Sequence, residues 1–156
     1  IIEKAGTAKA SFYQHYPSKQ SLCEAWLQSL HEQSEHFRVE LLQSDESPVT
    51  KVTRYFDHLE SFMVTSHFRG CPFSNTNAVS DDSCGGIIDR VKSHKESIRT
   101  FFVAIAGQQI AVPERAAAIG DRLFVLFSGA SAEAQNLKAI WPVQAGKDAA
   151  IEMLQS

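Results

Sequence analysis

Apolar residues recur every three or four positions through most of the chain, and nowhere do they alternate with polar ones for long, so helices are expected and strands are not. Ser18 is placed to cap a helix with Leu22, Trp26, Leu30, Phe37 and Leu41 along one buried side, running to the polar break SDESP. Ser47 followed by Pro48 reads as a cap and a first-turn proline, and Val52, Tyr55, Phe56, Leu59, Phe62 and Met63 give the next apolar face, ending near Ser66. HFRGCPFSN, with Gly70 and Pro72, predicts a turn; TNAVSDDSCGG allows one short helix, which Gly85 and Gly86 argue against extending. Ile87, Val91, His94, Ile98, Phe101 or Phe102, and Ile105 share another face, which closes between Gly107 and Pro113. ERAAAIGDRLFVLFSGASAEAQNLKAI predicts a strongly apolar helix with small residues in its second half. Trp141 and Pro142 interrupt it before a last helix over QAGKDAAIEMLQS. There is no internal repeat or low-complexity tract, and the fold class is all-α.

Composition narrows the class without naming a function. With 156 residues, 44% of them hydrophobic, the chain can bury one substantial core. It holds no run of eighteen or so apolar residues and no charged-then-apolar leader, so no membrane partner is expected and the reading is a cytoplasmic protein. Three cysteines, Cys23, Cys71 and Cys84, with no CxxC pair suit reduced thiols rather than a disulfide framework. The first residue is Ile1 and the first turn signal arrives already at Gly6, so the sequence reads as a fragment. The net charge of −3 argues against a wholly basic nucleic-acid binder, yet residues 1–20 are locally net +2, a basic end on an acidic body.

That basic end carries the chemistry. IIEKAG looks like the last turns of a helix ending at Gly6, where glycine takes positive φ at little cost, and Thr7 can begin the next helix. On a helix over residues 8–16, Phe12 and Tyr16 fall on one side with Ala8 nearby. Ala10 and Gln14 lie nearly opposite, flanked by Ser11 and Tyr13. One face is aromatic and the other small and polar. A helix of that kind can enter a major groove, where Gln or Ser meets base edges while Tyr and Lys meet phosphates. Pro17 and Ser18 stop it and start another. Lys19 in the new first turn opposes that helix's dipole, an arrangement more useful with a phosphate in front. Helix, glycine-bearing turn, second helix is the helix-turn-helix pattern.

Read in order, AG, two residues, K, ASFY, two residues, YPSK, two residues and L resemble the DNA-binding signature of the tetracycline-repressor (TetR) family of transcriptional regulators. The resemblance implies that residues 1–17 are part of a three-helix DNA-binding domain lacking its first helix and most of its second. Residues 18–156 would then be a six-helix ligand-binding and dimerisation body. It implies that Lys9, Ala10, Ser11 and Gln14 face base edges, that Tyr13, His15 and Lys19 contact the phosphate backbone, and that operator DNA is the partner of the full-length protein. It further implies a homodimer through the last two helices, to which the smooth run Gly129, Ala130, Ser131, Ala132 and Ala134 would contribute, and repression relieved by a small-molecule effector. Gly70, Cys71 and Asn75 in GCPFSN fit the same family outline.

An effector pocket among the middle helices has Phe56, Phe62, Asn75, His94 and Phe101 as candidate lining, which suits a mainly apolar or aromatic molecule; ordinary core would use the same aromatics. Cys71 and Cys84 are candidate sensor thiols, with His67 and Arg69 close to Cys71 in sequence. An enzyme using Cys71 as nucleophile and His67 as base is the remote alternative, since Gly70 and Pro72 break the helix it would need and no oxyanion device is apparent. No metal or cofactor is expected, because His15, His31, His36, His58, His67 and His94 are scattered with no paired spacing.

Overall fold

A computed structural model of the chain describes Lys4, Gly6 and residues 9–156; the side chains of Lys9 and Ala10 fall outside the described part. Its seven helices are α1 (Lys9–His15), α2 (Lys19–Gln43), α3 (Pro48–Thr65), α4 (Pro72–Ala78), α5 (Gly85–Gly107), α6 (Pro113–Leu137) and α7 (Trp141–Gln155), with no strand among the described residues. The all-α class read from periodicity is the class observed. Gly6 has φ +62°, the left-handed geometry the sequence asked of it, while the Thr7 start and the helix end expected before it lie outside the described residues.

The helix starts follow from local chemistry. Ser18 Oγ accepts from the Ser21 amide at 3.0 Å while Ser21 Oγ accepts from the Ser18 amide at 3.0 Å, a reciprocal cap that satisfies two otherwise orphaned donors. Ser47 Oγ accepts from the Thr50 amide at 3.1 Å ahead of Pro48. At the other end of α2, the buried Lys51 ammonium donates to the Leu42 carbonyl at 3.2 Å, a cation on the negative end of the helix dipole.

Three expectations are corrected. On the α2 side read as buried, Leu41 is fully buried and Leu30 and Phe37 pack half-buried against the cores, but Trp26 is 47% exposed and its neighbour Leu27 is fully buried in its place. The short helix between Gly70 and Gly85 begins at Pro72, inside the segment read as turn, and α5 starts at Gly85 itself, because proline and glycine are well tolerated in a first turn. Trp141 and Pro142 open α7 instead of interrupting α6, which ends before Lys138 in the left-handed conformation, φ 51°.

Helices α3, α5, α6 and α7 and the C-terminal half of α2 enclose one large core, with Phe56, Phe102, Ile105, Leu123 and Val143 fully buried. A second, small core of Leu27, Phe73, Ile87 and Val91 lies where the N-terminal half of α2 meets α4 and α5. The α5–α6 crossing is set by Gly120: a Cβ there would lie 2.5 Å from the Val103 Cα, a backbone atom that cannot turn aside. Gly120→Ala should therefore cost about 1–3 kcal/mol by overpacking, measured as a drop in the denaturation midpoint at unchanged slope; an unchanged midpoint would mean the helices need no such approach.

Candidate nucleic-acid interface and the interior behind it

α1 is held to α2 by a short corner. The Tyr16 amide donates to the Phe12 carbonyl at 2.9 Å, Pro17 ends the helix, and Ser18 at once caps the next. Phe12 and Tyr16 are half-buried with ring centroids 5.8 Å apart, and Tyr13 stands edge-on to Phe12 at 5.4 Å. Their packing leaves Tyr13, Gln14 and His15 on the exposed side of α1, with Lys19 exposed just beyond the corner and Ser11 half-buried. Those five lie together at one end of the chain. Lys9 and Ala10 belong to the same helix, but their side chains lie outside the described part.

Behind the corner, the inward seam of α2 passes through Leu27, His31, Ser34, Arg38 and Leu41, so its centre is polar. Arg38 is 1% exposed, and its guanidinium donates to Ser34 Oγ at 2.5 Å, Glu35 Oε2 at 2.6 Å, Ser97 Oγ at 3.0 Å and, at 3.4 Å, the Tyr55 hydroxyl. Its Nε is buried without a partner among the described residues. Burial alone would raise the Glu35 pKa, but hydrogen bonds from Ser97 and Arg38, with the Arg38 charge, outweigh it and hold the carboxylate below its usual range. Burial raises the Tyr55 pKa, which keeps the hydroxyl neutral. One turn earlier, His31 Nδ1 lies 3.3 Å from His94 Nδ1, and His94 stacks on Phe73 with centroids 3.5 Å apart.

The five residues suggested as pocket lining are not gathered. Phe56 and Phe101 are buried in the large core, Phe62 packs half-buried against it, and His94 belongs to the α2–α5 seam. Asn75 is exposed on α4, donating to the Arg69 carbonyl at 2.6 Å and accepting from Gln135 at 3.0 Å. Two open grooves have other linings: one of about 430 Å³ between α2 and α5, with Glu24, Gln28, His31, Gly86, Asp89, Arg90 and Ser93, and one of about 620 Å³ between α3 and α7, with Asp57, Glu60, Val64, Gln144 and Lys147 among its walls. The first has a mainly polar lining; the second, though walled by several polar residues, presents more apolar than polar surface.

The thiols sit in unlike surroundings. Lys95 Nζ donates to Cys71 Sγ at 3.6 Å, a partner the sequence reading missed because the two lie 24 positions apart. His67 does not face Cys71 from a shared helix. It lies exposed in the left-handed corner after α3, where His67, Phe68 and Gly70 have φ of 53°, 55° and 72°. Cys84 occupies the N-cap of α5 with its sulfur 3.8 Å from Asp81 Oδ1. Burial, then the charges of Glu24 and Cys84, push the Cys23 thiol's pKa up. Among the described residues no group of three or more His, Cys, Asp and Glu could hold a metal, and no helix is long and apolar enough to cross a membrane.

No protein-family model and no curated protein sequence matches the chain. Solved structures do. A TetR transcriptional regulator from Legionella pneumophila superposes with a TM-score of 0.83 at 16% identity, over 97% of this chain and 82% of its own. The E. coli NemR in its reduced form does so with a TM-score of 0.76, at the same identity and coverage. The fold is that of TetR-type regulators.

The His94–Phe73 stack has a titration consequence. Burial, then the charges of Arg38, His31 and Lys95, hold the His94 pKa down at about 3, against a small opposing effect of Glu35. The unfolded chain takes up that proton near 6.5. Between these values the unfolded state binds more protons, so this contribution to stability is complete above pH 6.5 and is lost progressively as pH falls towards 3. His94→Leu should shrink the drop in denaturation midpoint between pH 7 and pH 4.5; equal drops in both proteins would remove His94 as its cause.

Proposed function

We propose that the chain is the greater part of a DNA-binding transcriptional regulator acting as a homodimer, with residues 1–17 the end of its DNA-binding domain and residues 18–156 its dimerisation and effector body. The observation that carries this is the exposed set Tyr13, Gln14 and His15 on a short helix anchored through Phe12 and Tyr16, with Lys19 beside it. Gln14, Ser11, Ala10 and Lys9 read base edges; Tyr13, His15 and Lys19 take phosphates. The fold shared with TetR regulators supports the same reading. The dimer face is the outer row of α6, where Val125, Gly129, Ala132 and Asn136 are exposed at alternating four- and three-residue spacing, beside the exposed Trp141 of α7. Ala130 and Ala134 of the small-residue run are buried within the protomer and do not belong to it. Binding represses transcription and is released by a small apolar or aromatic effector, and the protein works in the cytoplasm.

With the protein expressed together with the residues encoded before Ile1, gel-shift titrations on its own promoter should show salt-sensitive binding. Lys19→Ala should weaken it on every sequence and lower the salt slope by about one. Gln14→Ala should cost about 1–3 kcal/mol of preference for the specific site over random DNA. Equal binding to operator and random DNA by the unmodified protein would sink the proposal.

A second reading, that the signal is an electrophile or oxidant acting on Cys71, is favoured by the Lys95 ammonium, which donates to its sulfur at 3.6 Å. Lys95→Met should slow alkylation of Cys71 by iodoacetamide several-fold, followed by intact mass; an unchanged rate would leave Cys71 an ordinary thiol.

A further inference from the structure

All three cysteines converge on the small core. Cys23 from α2, Cys71 at the start of α4 and Cys84 at the start of α5 each pack against the cluster of Leu27, Phe73, Ile87 and Val91. Cys23 and Cys84 belong to α2 and α5, which pack directly against each other. Glu24, next to Cys23, lies so close over the first turn of α5 that a Cβ on Gly86 would collide with its carboxylate. Cys84 is two residues before that glycine. The proximity of the two thiols is felt electrostatically, since a Cys84 thiolate disfavours ionisation of Cys23. The Cys71 sulfur instead accepts from Lys95 Nζ at 3.6 Å.

We infer that Cys23 and Cys84 form a dithiol site that a hydroperoxide closes to an intramolecular disulfide, tying the DNA-proximal end of α2 to the start of α5. Cys84 is the attacking thiol. It stands at the positive end of a 23-residue helix and in the turn that leads into it. Its thiolate displaces hydroxide from the peroxide oxygen, giving a sulfenic acid. Cys23, whose thiol burial makes harder to ionise, then attacks that sulfur as a thiolate and expels the second hydroxide. The two thiols are oxidised by two electrons in all, and the peroxide is reduced to two hydroxides, which take up the two thiol protons as water. A disulfide needs its Cα atoms within roughly 7 Å.

The consequence for DNA rests on the regulator reading above. Cys23 follows the Ser18 cap by five residues, and α1 hangs from that cap, so a bond at Cys23 fixes the pose of the reading helix against the body. The test is peptide mapping of the reduced protein after hydrogen peroxide treatment and capping with N-ethylmaleimide, digested without reductant. The expected product is one Cys23–Cys84 linked peptide pair, retained in Cys71→Ser and lost in Cys23→Ser and Cys84→Ser. Linkage mainly through Cys71, linkage only between chains, or full capping of Cys23 and Cys84 would overturn the site. Operator affinity of the longer protein should change at least tenfold on oxidation and not in Cys84→Ser; a linked protein with unchanged affinity would overturn the regulatory role. If the reduced protein binds no operator while the linkage still forms, the regulator reading falls and the dithiol site stands.

Discussion

A guanidinium with 1% of its surface exposed sets the terms for the rest of this chain. Arg38 cannot be charged in the interior unless acceptors surround it, and they come from three helices: Ser34 and Glu35 of α2, Tyr55 of α3 and Ser97 of α5. Fork geometry leaves little play in that arrangement, whereas an apolar seam could slide by part of a turn at small cost. The angle of α2 against the body is thereby fixed about four-fifths of the way along its length. What α2 carries at its far end, the corner at Pro17 and the exposed face of α1, inherits that angle.

This polar seam also explains where the sequence misleads. The buried line of α2, from Leu27 through His31, Ser34 and Arg38 to Leu41, has a regular four- and three-residue spacing but polar residues at its centre. A reading that follows hydrophobicity takes Trp26 for its large apolar ring where the fold buries Leu27, one residue on, and passes over Arg38 altogether. The partners that make Arg38 tolerable lie as far away as Ser97, 59 positions on, and so does not enter any local pattern. Lys95 beside Cys71 escaped notice for the same reason. Features that depend on immediate neighbours were legible: the Ser18 and Ser47 caps, the positive φ of Gly6 and the core face of α5 from Ile87 to Ile105. The exposed side of α1 was legible too, because a seven-residue helix between a glycine turn and a proline has few ways to place two aromatic rings inward.

The two cores differ in what they can hold. Nineteen buried apolar residues make up the large one, against four in the small one, so the body of α3, α5, α6 and α7 is secured many times over. Each fully buried aliphatic or aromatic side chain contributes on the order of 1.5–3 kcal/mol before entropy is charged against it. The N-terminal half of α2 therefore rests on an apolar contact in which one side chain is a sizeable fraction of the total, supplemented by the His31–His94 contact. Regions so lightly held open at a free energy well below that of global unfolding.

That difference places sensitivity and function at the same end of the molecule. A bond, an adduct or a proton introduced into the large core would have to compete with nineteen buried side chains; introduced around Leu27, Phe73, Ile87 and Val91 it competes with four. Cys23, Cys71, Cys84 and His94 all border the smaller set or the seam that continues it. A ligand or modification shifts an equilibrium only by its preference for one state over the other, so a weak contact is where a preference of one or two kcal/mol changes the pose of a helix. Arg38 limits how far that change travels: it pins α2 beyond the small core, so that movement is confined to the segment between Ser18 and Ser34, the part that carries α1.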